Sequence, residues 1–185
     1  MRKPTHIMGG VASGVVTSSL LLDSAPMQEA SIPLGISAIM AGAFVGSVLC
    51  DIDHPNSFIG RKFPVISHLI RFAFGHRGAT HTLLFALLVS VLTALPSLYF
   101  LDGIASVAMM LLSIGLFAGI LSHLLLDALT VTGVPLLYPF SRKMFRIGRF
   151  RTGSTGETFV FVLLLVFTAF LAKSLMDDVF QFVLG

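Results

Sequence analysis

Four stretches of this chain, residues 33–49, 82–101, 104–126 and 158–175, are apolar almost without interruption and long enough to cross a bilayer, which takes about 20 residues of helix. A backbone in lipid must satisfy its own hydrogen bonds, so such stretches fold as helices packed into a bundle. Only 11% of the 185 residues are charged and 55% are apolar, with a mean hydropathy of +0.94. Soluble domains carry about 25% charged residues. The expected fold class is all-α, a polytopic membrane helical bundle with about five transmembrane helices and one interfacial helix in a single domain over residues 1–185.

The fifth stretch, residues 6–22, is weaker because it is rich in Gly and Ser. Arg2 and Lys3 precede it and Asp23-Ser24-Ala25 follow, a pattern shared with cleaved signal peptides. The expectation is a retained helix. Gly10 and Gly14 suit close packing against Gly42-x-x-x-Gly46 of the next stretch, as small residues do in membrane helix pairs. Residues 55–75 carry Phe63, Val65, Ile66, Leu69, Ile70 and Phe72 with Arg61, Lys62 and Arg71 between them, a spacing that predicts one helix lying in the interface. Residues 131–156 are broken by Gly and Pro and read as a re-entrant or surface loop.

If all five stretches cross, every polar cluster falls on one side of the membrane: His6, Asp51-Ile52-Asp53-His54, His76 to His81, His123 with Asp127, and Glu157. Arg2, Lys3, Arg61, Lys62, Arg71, Arg77 and the run from Arg142 to Arg151 share that side, and only Lys173 lies opposite. The positive-inside rule makes it cytoplasmic, with the N-terminus inside and the C-terminus outside. The pI of 9.4 reflects these clustered bases, which touch anionic lipid; no nucleic-acid module is present and none is expected as a partner. The single Cys50 forms no internal disulfide and no thiolate cluster.

Imidazoles and carboxylates are ligands for zinc and similar ions, and polar groups beside lipid are costly unless paired, bound or working. His123 and Asp127 lie four apart on a helix and share a face, so they can chelate one ion; alternatively they satisfy polar bonds between packed helices. Asp51 and Asp53 follow a helix that Pro55 stops, where both can point into one cavity or serve as turn residues. Carboxylates at a helix C-terminus face the negative end of its dipole, so a cation there is favoured. His76 and His81 flank Arg77 and Gly78 at a helix start, a place for an anion such as phosphate; otherwise Arg77 reaches lipid headgroups and His76 caps the preceding helix. Glu157 opens the last stretch, as a site residue or only a helix-dipole acid. His68 is expected at the surface.

In order along the chain stand His6, Asp51-Ile52-Asp53-His54-Pro55-x-Ser57, Phe74-Gly75-His76-Arg77-Gly78-x-Thr80-His81, Ser122-His123-x-x-x-Asp127-x-Leu129-Thr130 and Gly133-Val134-Pro135-Leu136-Leu137-x-Pro139. This series resembles the YdjM-type family of bacterial inner-membrane proteins, described as membrane-bound metal-dependent hydrolases. More distantly, the His and Asp pattern is similar to zinc-dependent phospholipase C. The resemblance implies His6, Asp51, His81, His123 and Asp127 as metal ligands, with Asp53, His54, His76 and Glu157 as further ligands or proton-handling groups. Those soluble enzymes carry more histidines downstream, whereas none follows His123 here, so one or two divalent ions are expected, with zinc the expected metal.

The function expected is an inner-membrane metal-dependent hydrolase acting on a phosphoester of a lipid or amphiphile. His6, Asp51, His76, His81, His123 and Asp127 are the expected metal ligands; Asp53, His54, Arg77 and Glu157 are the expected catalytic groups. The partners implied are membrane lipid and the substrate itself. The rival classes are a metal-ion or proton transporter, and a non-catalytic membrane protein with a structural metal site.

Overall fold

The computed structural model describes residues 1–75 and 77–184, and among these the regular structure is helical. In chain order the elements are α1 (Lys3–Leu21), α2 (Ala25–Glu29), α3 (Ile32–Leu49), a 3-10 turn (Cys50–Asp53), α4 (Phe58–Lys62), α5 (Pro64–Phe74), a second 3-10 turn (Ala79–His81), α6 (Leu83–Tyr99), α7 (Gly103–Ala128) and α8 (Thr155–Leu184). The helical membrane bundle read from the sequence is the fold observed. By length and composition, Ile32–Asp53, Gly103–Ala128 and Thr155–Phe182 can cross a membrane, while Leu83–Tyr99 is a shorter apolar helix. Proline at the first turn starts α1, α3 and α5, where the missing N–H leaves no bond unmade. Thr82 caps α6 by accepting from Phe85 N at 3.0 Å.

The most extensive interface joins α3 to α7, and glycines on both helices allow it. A Cβ on Gly42 would lie 2.1 Å from the Leu112 carbonyl oxygen, and one on Gly46 2.3 Å from that of Leu116. Reciprocally, Gly115 would meet the Ile39 carbonyl at 2.1 Å and Gly119 that of Ala43 at 2.2 Å. Gly42 and Gly46 therefore face α7 and not α1, contrary to the expectation from sequence. Gly10 and Gly14 of α1 do approach α3, but against Ser47, Ala43 and Met40. The partner motif, Gly115-x-x-x-Gly119, has the same small-residue spacing as Gly10-x-x-x-Gly14, so pattern alone did not choose between them.

Helix α1 lies against α3, α7 and α8, while α6 packs against α7. Leu87, Leu88, Val91 and Leu92 of α6 and Phe159, Val166 and Phe170 of α8 remain exposed, as lipid-facing positions of a bundle are.

The single interfacial helix expected over residues 55–75 is instead two, α4 and α5, broken at Phe63. Pro64 forces this, because the residue before proline is held out of helical geometry, and Phe63 has ψ 63°. On α5 the side chains of Val65, Ile66, Leu69 and Phe72 are exposed, Phe72 at 93%. Residues 129–154 fold back over the end of α7. Isolated bridges pair Thr130 with Phe150 and Val134 with Phe145, and the amides of Ile147 and Phe150 donate to Ala128 and Leu129.

Candidate metal centre

The α3–α7 crossing carries the chemistry at one of its ends. Gly119 lies one helical turn before His123, and Ser47 directly follows Gly46, so close contact of the backbones brings His123 against Ser47. His123 Nδ1 donates to the Ser47 carbonyl oxygen at 2.7 Å. A carbonyl only accepts, so this bond settles the tautomer of the neutral ring and leaves Nε2 with its lone pair. His123 Nε2 is buried with no hydrogen-bond partner, 3.9 Å from Asp51 Oδ1 and 3.9 Å from Asp127 Oδ2.

Two further imidazoles close on the same carboxylate. His6, one turn into α1, places Nε2 3.3 Å from Asp127 Oδ1, and its ring stacks on that of His123 with centroids 3.8 Å apart. Its Nδ1 is buried without a hydrogen-bond partner. His81, from the second 3-10 turn, holds Nε2 3.8 Å from Asp127 Oδ2 and meets His123 edge-on at 5.2 Å. His6, His81 and His123 are each at most 1% exposed. Asp127 also contacts the Met1 amino group at 2.5 Å and the Arg77 guanidinium at 3.0 Å.

His81 is oriented from behind. Thr80 donates its hydroxyl proton to Asp53 Oδ2 at 2.8 Å, so its oxygen can accept from His81 Nδ1 at 3.0 Å. Asp53 Oδ2 lies 3.3 Å from that same Nδ1 and accepts the Arg77 backbone N–H at 2.8 Å. This carboxylate–imidazole pairing turns the opposite nitrogen toward the centre, as outer partners do for metal-bound histidines. Asp51 and Asp53, expected to share a cavity, diverge on the first 3-10 turn. Asp51 faces the centre with its side chain 30% exposed, while Asp53 is fully buried behind His81.

Arg77 adopts φ 58°, the left-handed region that costs a non-glycine residue about 1 kcal/mol or more. Its contacts hold it there: Asp53 and Asp127 on one side, and the Gly133 carbonyl at 3.1 Å on the other. The fold-back loop after α7 thus fixes the arginine.

Two sets of three donors lie close enough for one ion each: His6, His123 and Asp127, and Asp51, His81 and His123. Donors around one zinc, each at about 2.0–2.2 Å from it, sit roughly 3–4 Å apart, a range that holds His6 to Asp127 at 3.3 Å and His123 to Asp51 and to Asp127 at 3.9 Å each. The lone pair of His123 Nε2, buried beside two carboxylates, is unfavourable without a cation between them. These residues fit a divalent metal.

Other expected site residues fall elsewhere. Glu157 accepts from Arg2 N and Thr5 Oγ1 at one oxygen and from Gly153 N, at 2.5 Å, at the other. It clasps the start of α1 to α8 and stands in neither donor set. His54, half-buried, ends the first 3-10 turn and joins neither set among the described residues. His76 lies outside the described residues. His68 is exposed and bonds the Pro64 carbonyl. Sequence reasoning missed Ser47 and Thr80; Thr80 stands beside a candidate ligand, whereas Ser47 acts through its backbone and left no signal.

A family model described as YdjM inner membrane protein matches residues 1–183. YvsG of Bacillus subtilis is 37% identical over 162 residues, covering 86% of this chain and 87% of that protein. The inner membrane protein YdjM of Escherichia coli is 40% identical over 144 residues, covering 76% of this chain and 69% of that protein, and YdjM of Shigella flexneri matches equally. No solved structure matches.

Proposed function

This chain belongs to the YdjM family of inner membrane proteins, and we propose that it is a metal-dependent hydrolase whose cytoplasm-facing centre cleaves a phosphoester of a lipid or amphiphile. The observation that carries this reading is the convergence of the Nε2 atoms of His6, His81 and His123 on Asp127. These three imidazoles with Asp51 and Asp127 would hold the ion, zinc being the metal that such donors suit. A divalent cation supplies Lewis-acid activation of water and of a phosphoryl oxygen.

The chain's own groups divide the remaining work. Asp53 and Thr80 hold the His81 ring, and the Ser47 carbonyl holds that of His123. Asp51, at the partly exposed rim, is the ligand that an entering substrate meets first. Arg77, fixed by its own backbone and the Gly133 carbonyl, is the cation placed to bind an anionic group. Only an amphiphile reaches such a place laterally from the bilayer at high concentration, which supports a lipid phosphoester. Five crossings with the N-terminus inside belong to this proposal and rest on the one-sided distribution of Lys and Arg.

The test is full-length protein in detergent, metal-analysed, against a panel of phospholipids and lipid phosphates with and without chelator. Turnover that chelator and His123→Ala both abolish supports the reading. Metal-loaded protein that turns over none of them overturns it, and metal flux in vesicles would put a transporter in its place. Against transport, the three helices long and apolar enough to cross carry almost no charged residue at mid-depth, where a relay would need them.

A further inference from the structure

Helices α3 and α6 meet at the metal centre and part beneath it. Asp53, in the 3-10 turn after α3, accepts the Thr80 hydroxyl from the 3-10 turn before α6. Along their lengths, among the described residues, both helices pack closely on α7 but not on each other. The gap is a cleft of 260 Å³. Val45 and Leu49 of α3 form one wall, Val89 and Thr93 of α6 the other, and Leu112 and Leu116 of α7 the floor. From Ala41 to Leu49 it runs about 12 Å along α3, and its upper end lies two residues before Asp51, the candidate ligand at the partly exposed rim. The one hydroxyl in the lining, Thr93 Oγ1, donates to the Val89 carbonyl oxygen at 2.8 Å, so no side-chain donor is left for a polar ligand. Both α3 and α7 are long and apolar enough to cross a membrane, which puts the cleft at hydrocarbon depth.

We propose that this cleft holds one acyl chain of the lipid whose phosphoester meets the metal centre, with the head group at Asp51 and Arg77. This rests on the hydrolase reading above and specifies it: the substrate is recognised by its chain, from the bilayer side. Two turns of a helix, about 10 Å across, need roughly 850 Å³, so a helix from a second copy of the chain does not fit between these walls, whereas a single hydrocarbon chain does. Lipid tails outside are as apolar as the lining, so the cleft selects by fit and not by hydrophobicity.

The experiment photolyses full-length protein in mixed micelles with phosphatidic acid carrying a diazirine midway along one acyl chain, and maps the labelled residues by mass spectrometry. Labelling is expected to concentrate on the α3 and α6 walls of the cleft. Val45→Trp and Thr93→Phe fill it from opposite walls at partly exposed positions. Each should cut that labelling at least tenfold and raise KM at least tenfold for whichever lipid phosphate is turned over, with zinc content and melting temperature as in the wild type. Labelling spread evenly over exposed residues such as Leu87 and Phe170 would overturn the proposal. So would labelling centred on the separate cleft that α1, α7 and α8 line around Ser13 and Leu164. Variants that lose the label yet keep the wild-type KM would equally overturn it, making the bound chain that of a structural lipid. Concentrated labelling without turnover of any phosphoester would sink the hydrolase and leave the cleft a lipid site; turnover with even labelling would sink only the cleft. The wild-type map decides even where a variant fails to fold.

Discussion

Gly119 of α7 and Ala43 of α3 approach so closely that a Cβ on Gly119 would stand 2.2 Å from the Ala43 carbonyl oxygen. One turn further along each helix, that proximity becomes the bond from His123 to Ser47. Packing and ligand placement are the same event in this bundle.

Gly119→Ala should therefore damage both. Forcing a methyl group into backbone atoms costs about 1–3 kcal/mol, and the helices must separate where His123 is aimed. The expected result is a lower melting temperature in detergent together with weaker zinc binding. A variant with wild-type melting and affinity would show that the crossing is looser than described.

Asp53→Asn tests the group behind His81. The amide keeps the shape but loses the charge that receives the Thr80, Arg77 and His81 protons. Metal affinity is expected to fall about 10–100-fold, as for outer partners of ligating histidines, with the wild-type stoichiometry kept at saturation. Unchanged affinity would assign Asp53 to folding alone.

Glu157→Gln separates clasp from chemistry. Its carboxylate gathers donors from Arg2, Thr5 and Gly153, and charged hydrogen bonds contribute about 1.5–3 kcal/mol each. The variant should melt earlier yet bind zinc with unaltered stoichiometry and nearly unaltered affinity. Loss of the ion with full stability would return Glu157 to the site.

Metal removal should itself destabilise the fold. A ligand that binds only the native state contributes about 2.7 kcal/mol at a hundred times its Kd, so chelator should lower the melting temperature and added zinc restore it. The sign with pH follows from competition. Imidazole must be neutral to ligate, so zinc-dependent stabilisation should shrink as pH falls from neutral into the acid range. A chelator-insensitive melting curve across that range would exclude a metal that supports the structure.

Helical class, the ends of α7 and the donor residues were all legible in the chain. Apolar runs of bilayer length admit little besides helices, and His123-x-x-x-Asp127 shares a face by helical period alone. The break at Pro64 was legible too, because the constraint proline places on its predecessor is local; periodicity masked it. The partner of Gly42 and Gly46 was not decided by pattern, since Gly10 and Gly14 and Gly115 and Gly119 offer similar small-residue spacing.

What the residues determined unaided is the inventory: which side chains can ligate, and that apolar helices must carry them. Only the folded arrangement decided that Asp51 faces the centre while Asp53 stands behind His81, that Glu157 is spent on the α1–α8 clasp, and that a backbone carbonyl of Ser47 sets the tautomer of His123. The reason is physical. Helical period and lipid exclusion act within a segment, whereas the direction of a carboxylate or a ring nitrogen depends on donors brought from as far as 155 residues away.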